Sequence, residues 1–450
     1  MGGLRSYLLT GVGPWRGRLA AIGLRGVGWR LAEDPFDADL LVVAGSPGAR
    51  LGAAIAELRV QLPWHVETLW VTASGAPIEP TLAMTLARYA PLRIAQSDRD
   101  ADIATLVTAA RPFEARIGAK EIIDAALPRL VELDGASDLA SEDLVLSLGP
   151  IHPALATPIR LILALDGEQV RDVVRDPGYA VHVPIPGDPV IACLDPEAPA
   201  AARVTAALLH TGVPDVNVAI AACERERASH FLHACARQLW LLGMVPGARE
   251  LQMAADSARR GDTPASAIPI LLRSPRLRTA MRLRMRGIGP VARGDAARAG
   301  LRGPVGRASG LSDDARTDGT FAAAYERLGG SPLTDAPTVG DAAARFERRL
   351  LEAARALALA DAADHAGGSP VAIAQQDRVD IELPRGRLIV SREQGRPMHV
   401  DPASAGLLDF LPAMLVGARY ADAIAIIDGI DASAEEAERA LYPSSVAQVA

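Results

Sequence analysis

The stretch that most restricts what this chain can fold into runs from Leu148 to Val170. Ile159 to Leu165 is an apolar run of strand length, interrupted only by Arg160. Asp166-Gly167 follows, a dipeptide that readily takes positive φ at both central positions of a tight turn. Glu168-Gln169-Val170 then begins a return strand. Ahead of the run stand Gly149-Pro150 and His152-Pro153. Each proline turns its predecessor away from the α region. Backbone chemistry alone therefore predicts a β-hairpin entered by a rigid, extended segment.

At 450 residues the chain has room for two or three domains and a sizeable core. Aromatic residues are only 4%, so that core rests on Ala, Leu, Val and Ile. Lys120 is the single lysine, and the other basic residues are arginine. A net charge of -7 argues against general nucleic-acid affinity, which requires an excess of cations facing phosphate. Cys193, Cys223 and Cys235 form no CxxC pair, which argues against a zinc ribbon or a disulfide framework. The first residues lack a signal-peptide apolar core, and no uncharged apolar run is long enough to span a bilayer. The expectation is a cytoplasmic protein, associated with membranes only through partners.

Residues 1–112 read as an α/β domain. Asp39 to Gly45 and Glu67 to Thr72 are short strands, with a helical segment from Leu51 to Gln61 between them. That order suggests a βαβ unit and a parallel sheet. Ligands in such sheets sit beyond the carboxyl ends of strands, which directs attention to the loops Gly45–Gly48 and Ser74–Pro77. Residues 113–147 read as a connector, with a helix from Ala119 to Leu133 interrupted by Pro128. Residues 176–203 are proline-rich and irregular. Val216 to Val245 is the longest helical candidate, ended by Pro246-Gly247. On it Glu226, His230 and His233 fall at i, i+4 and i+7, one helix face, as a buried hydrogen-bonded network or a solvated face would arrange them, or less simply metal ligands. Arg273 to Arg307 holds ten arginines and one acid, Asp295, interleaved with apolar residues that argue for partial packing.

Several strings of residues resemble one family. Gly149-Pro-Ile-His-Pro153 with Arg160-Leu161 and Leu165-Asp-Gly-Glu168 is similar to the opening of the quinone-site large subunit of respiratory complex I. That protein is in turn similar to the large subunit of [NiFe]-hydrogenases. Glu224, Arg227, Ser229, His230 and Leu232 resemble the family's next helix. Leu283-Arg-Met-Arg-Gly-Ile-Gly289, Ala296-Ala-Arg-Ala-Gly300 with Leu301-Arg-Gly-Pro304, Arg307-Ala-Ser-Gly310 and Asp313-Asp-Ala-Arg316 resemble its Arg/Gly-rich segment, which in the family lines the interface with the small subunit. Tyr325 falls near an aromatic position of the family, and Asp341 to Ala360 resembles the helix that follows. Glu382-Leu-Pro-Arg-Gly386, flanked by strands Val379–Leu383 and Arg387–Ser391, is the most specific match. Pro402–Gly417 and Ala421–Asp428 resemble the family's closing helix and strand. Over residues 1–112, Asp39 to Gly45 and Val71-Thr-Ala-Ser-Gly75 resemble the small, cluster-bearing partner of that large subunit. The resemblance implies an α+β chain. Residues 1–112 would form a flavodoxin-like α/β domain. Residues 148–450 would form a mainly helical domain with peripheral β-hairpins.

The resemblance also says which ligands to look for. The small subunit holds a [4Fe–4S] cluster on cysteines, but residues 1–192 contain no cysteine. Hydrogenases hold nickel on two CxxC pairs, and where they close with Asp-Pro-Cys-x-x-Cys this chain has Asp431-Ala-Ser-Ala-Glu435. Complex I places a histidine donor for the quinone at the position of Ala156. The expectation is therefore no iron–sulfur cluster and no nickel, with quinone binding left to a rearranged site. Candidate residues for that site are Tyr179, His182, Glu226 and His230. The leading functional expectation is a non-redox peripheral subunit on membrane-embedded complex I-like or antiporter-like subunits, without nucleic acid. The alternatives are an active NAD(P)H- or quinone-linked oxidoreductase subunit and, less directly, an assembly chaperone or binding module using Gly45–Gly48.

Overall fold

A computed structural model describes residues 5–10, 30–31, 38–44, 47, 49–62, 66–72, 80–89, 92–96, 144–150, 159–176, 199–263, 265–268, 273–330, 337–366, 371–393, 396–401 and 405–432. Two compact units are present, the first made mostly of residues 1–153 and the second mostly of residues 185–450.

The first unit is built on a parallel sheet. Strands β1 (Arg5–Thr10), β2 (Arg30–Leu31), β3 (Leu40–Ala44), β4 (Glu67–Thr72) and β5 (Leu92–Gln96) lie in the order β2-β1-β3-β4-β5. Every pairing is parallel, as strand–helix–strand connections require. Helix α1 (Ala49–Gln61) joins β3 to β4, and α2 (Pro80–Tyr89) joins β4 to β5. Leu41, Val43, Leu51, Ile55, Leu58, Trp70, Leu82 and Leu86 form one core. The expected βαβ unit is present. The sheet extends beyond it on both sides, by β1 and β2 and by β5. The helix expected at Ala119–Leu133 and most of the loops Gly45–Gly48 and Ser74–Pro77 lie outside the described residues.

The expected hairpin forms as β7 (Arg160–Asp166) and β8 (Gln169–Asp176), and β6 (Leu144–Leu148) lies on the other side of β7. Its turn is shifted by one residue from the expectation. Gly167-Glu168 is the central pair, and of the two only Gly167 has positive φ, at 60°. Glycine at the first central position with the second residue at negative φ is the type II′ arrangement, so the aspartate need not leave the strand region. Arg160, the charge inside the apolar run, is buried and pairs with Asp176 at 2.9 Å. Near the tip, Val170 and Gly417 exchange bonds with Ala418 and Val170 at 2.8 and 2.7 Å.

The second unit is mainly helical. Helices α3 (Pro199–His210), α4 (Val216–Leu241) and α5 (Val245–Arg260) are followed by α6 (Pro275–Arg284) and the short α7 (Arg293–Arg298), α8 (Gly303–Ala308), α9 (Ala315–Asp318) and α10 (Ala322–Arg327). The long α11 (Ala342–His365) precedes β9 (Arg378–Leu383), β10 (Gly386–Glu393) and β11 (Arg396–Asp401), an antiparallel meander, and α12 (Ala405–Leu415) and α13 (Tyr420–Ile430) follow it. Asp215 caps α4 by accepting from Asn217 and Val218, and Asp341 caps α11 by accepting from Ala344, the usual remedy for orphan amides at a helix start. Helices α4, α5 and α11 share an apolar core through Phe231, Leu239, Leu251, Phe346 and Leu350.

Three expectations are corrected here. The Val216–Val245 helix ends earlier, at Leu241, and Gly243 at φ 78° turns the chain. Pro246 then sits in the first turn of α5, where its missing amide costs no hydrogen bond. The irregular 176–203 stretch gives way to helix at Pro199. Ala421–Asp428 is helix and not strand: its Ile426, Ile427 and Ile430 bury one face against neighbouring helices, and tertiary packing overrides β-branched propensity.

Candidate functional site

The second unit carries an unusual number of buried charges along α4, and they fall into two groups.

The first group surrounds Arg307. Its Nε and Nη2 donate to both oxygens of Glu352 at 2.7 and 2.6 Å, a bidentate fork, and its Nη1 donates to Glu382 at 2.7 Å. The Glu382 carboxylate also accepts from the Ala315 amide at 3.0 Å. Arg348, one turn before Glu352 on α11, adds a further bond at 2.8 Å. Arg316 and Asp314 form a second fork at 2.8 and 2.6 Å. Beside them Glu224 pairs with Arg227 at 2.8 Å and accepts from the Tyr325 hydroxyl at 2.6 Å. Arg227 reaches on to the Glu382 carbonyl at 3.0 Å. Burial opposes the charge on Glu352, but Arg307 and Arg316 outweigh it and hold the carboxyl at about 2. For Glu382 burial wins, and its carboxyl is pushed up. The Tyr325 hydroxyl is pushed well up by burial and then by the Glu224 charge. A cavity of about 10 Å³, lined by Cys223, Phe321, Tyr325 and Glu382 among others, has room for roughly one water molecule.

The second group surrounds Asp431, the residue that ends α13 in the left-handed conformation with φ 51°. Asp is among the residues that tolerate this cap position. His230 lies 2.6 Å from one of its oxygens, and Arg237 donates to the other at 2.8 Å. Arg385, from the Glu-x-Pro-Arg-Gly string, donates to its carbonyl at 2.6 Å. Arg237 also pairs with Asp428. Arg349 donates to the Gly429 carbonyl at 2.7 Å, and Arg345 to those of Gly289 and Gly340 at 2.8 and 2.5 Å. Although burial opposes it, the positive charge of Arg385 and His230 keeps the Asp431 carboxyl well below the usual range. For Asp428 burial outweighs the Arg237 charge and pushes the carboxyl up, and burial together with the Arg349 charge brings Arg345 down to about 9.

The backbone is equally constrained around the Glu-x-Pro-Arg-Gly string. Leu383 and Gly386 pair across the β9–β10 hairpin, so Pro384-Arg385 is its two-residue turn. A Cβ built on Gly303 would lie 2.1 Å from the Arg385 carbonyl oxygen. Gly303 also has φ 58°. The Gly-Pro at 303–304 and the Arg-Gly at 385–386 therefore let two chains cross backbone against backbone.

The sequence candidates separate in space. Glu226 accepts from the amides of Ala200 and Ala201 at 2.9 to 3.1 Å, closing the N-terminal turn of α3. His230 turns to Asp431, and His233 lies 3.5 Å from Asp256. Three residues of one helix face thus reach three different partners, which removes the geometric basis for reading them as a shared metal site. Tyr179, His182, Ala156 and Cys193 lie outside the described residues. Arg227 pairs with Glu224. Arg385 and Glu382 go to Asp431 and Arg307. Sequence reasoning missed Arg237, although it extends the same helix stripe to i+11 from Glu226.

Cys223 and Cys235 are both buried on α4. Burial raises both thiols, that of Cys235 to about 12, so neither is poised as a thiolate ligand. Around Asp431 the donors are guanidinium and imidazole groups, a set that fits a carboxylate and not a nickel ion.

Residues 278–379 match the family model of the respiratory-chain NADH dehydrogenase 49 kDa subunit. An NADH-quinone oxidoreductase subunit of Chloroherpeton thalassium (strain ATCC 35110 / GB-78) is 24% identical over 395 residues, covering 67% of this chain and 89% of that protein. Among solved structures, a chain of the membrane-bound sulfane sulfur reductase, an archaeal respiratory membrane complex, superposes with a TM-score of 0.52 at 19% identity. That match covers 66% of this chain and 98% of the other, and at this identity it speaks for the fold.

Proposed function

From a chain related to the large subunit of complex I, we propose a subunit of a complex I-like respiratory membrane assembly that is peripheral and itself carries no redox centre. One observation carries the non-redox part. At Asp431, where the hydrogenases of this wider family continue into a metal-binding Cys-x-x-Cys, the carboxylate is taken up by His230, Arg237 and Arg385. Internal cations stand in for a metal as its counter-charge. Residues of the strings that resemble the family, Arg307, Glu382 and Arg385, brace the fold as buried charges. Without a cysteine in residues 1–192, the unit containing the parallel sheet has no thiolates for a cluster. Among the described residues no helix is long and apolar enough to cross a membrane.

The role left to such a chain is mechanical. Its charged core is closely interlocked, from the α4–α10 contact through Arg307 to the end of α13. A partner moving one end would shift paired charges at the other. The test is affinity isolation of the tagged chain from native membranes. Stoichiometric recovery of membrane-embedded subunits is the expected result. Recovery of the chain alone from the soluble fraction would overturn the assembly. A quinone photo-label attached to this chain, near Tyr179 or His182, would overturn the non-redox role in favour of a rearranged quinone site.

A further inference from the structure

Helix α6 has two unlike faces. Leu277 and Met281 on the helix, and Met285 at its C-cap, turn inward and join the apolar core of α4, α5 and α11. On the other side Arg278 and Arg282 are exposed one turn apart, Arg284 is exposed beside them, and Arg286 is exposed just past the end of the helix. Arg273 and Arg293, before and after the helix, are exposed as well. Leu283 stands among these arginines with 68% of its surface open to solvent.

Among the described residues this stripe has no balancing acids. The helix contains no acidic residue. Among the described residues no carboxylate pairs with Arg278, Arg282, Arg284 or Arg286, and Asp295, the one acid between Arg273 and Arg307, is engaged by Arg298. Like charges four apart on a helix repel each other. The chain as a whole is negative, at -7, so a basic stripe does not follow from composition. Soluble surfaces ordinarily mix charges of both signs. Such a stripe is a surface to which an anionic partner is complementary.

We propose that this face docks on an anionic bilayer surface. Guanidinium groups bind phosphate oxygens through two parallel hydrogen bonds, and their long stems let the charge stay at the wet interface while apolar parts lie deeper. Leu283 supplies the apolar contact that enters the headgroup–acyl boundary, as on other interfacial helices. Leu283, exposed among the arginines, favours a headgroup layer over an acidic protein surface. The proposal does not depend on the functional reading above.

The test uses the purified full chain and sedimentation with vesicles. One set is phosphatidylcholine alone, and the other contains about one-third phosphatidylglycerol. Binding is expected only to the anionic vesicles, falling as salt rises. Each arginine at such a surface contributes a factor of roughly five, so the triple variant Arg278→Glu, Arg282→Glu, Arg286→Glu loses at least about a hundredfold. Leu283→Ser weakens binding to the same vesicles by roughly tenfold. All four side chains are exposed, and the far-ultraviolet spectrum of each variant should match the parent; Arg282→Gln, at roughly fivefold, serves if the triple variant misfolds. Equal binding to both vesicle types overturns the proposal. So does a triple variant that binds like the parent, or capture by soluble polyglutamate with no vesicle binding at all.

Discussion

Arg307 is where the buried charges of the second unit depend most on one side chain. It is 3% exposed and is the shared partner of Glu352 and Glu382. Removing one member of a buried ion network leaves the others uncompensated, which costs more than the pair itself contributes. Arg307→Met is therefore expected to destabilise the protein by about 3–5 kcal/mol, measured by urea unfolding. Glu352 gives the same network a pH signature. Its carboxyl is held at about 2, against an ordinary 4.5. As pH falls the unfolded chain takes up that proton first. The stability Glu352 provides is thus complete above the ordinary value and lost progressively as pH drops toward about 2. The shift corresponds to roughly 3 kcal/mol at neutral pH. Glu352→Gln should be less stable than the parent by about that amount near pH 7. The gap between them should narrow below about pH 4.5. A constant gap across that range would show that the carboxylate is not held by Arg307. Glu382, pushed up by burial, works in the opposite sense, which is why the comparison is made with a variant and not on the parent alone.

Among the elements, the crossing of α8 with the β9–β10 turn is the tightest. Gly303→Ala would set a methyl against the Arg385 carbonyl, at a residue whose positive φ already disfavours a side chain. An expected loss of about 2–4 kcal/mol follows from the overpacking and the strain together. Gly294→Ala, where a Cβ meets nothing within 4 Å, is the control and should change stability by less than about 1 kcal/mol. Equal losses in the two variants would remove the backbone crossing as the reason for the Gly-Pro and Arg-Gly strings. The elements themselves were unevenly legible in the sequence. Strand β4 begins and ends at the expected residues, because Glu67 to Thr72 is bounded by breakers on both sides. The β9–β10 hairpin was likewise readable from Pro-Arg-Gly between two apolar runs. The break between α4 and α5 was misplaced because proline marks a helix start as well as a helix end.

For the whole molecule, the family resemblance was legible in the sequence, but not the wiring between its charges. His230 and Asp431 lie 201 positions apart, and Arg307 and Glu382 lie 75 apart. No local periodicity links such positions. Only the packing of α4, α11, α13 and β9 brings them together. The outcome is a chain whose charged groups answer one another within the fold, with arginines and a histidine on Asp431. The most direct test of this account is the iron and nickel content of the chain itself, isolated from its native membranes without oxygen and separated from its partners before elemental analysis. The account predicts far less than one atom of either metal per chain. A recovery of four irons or one nickel per chain would contradict it.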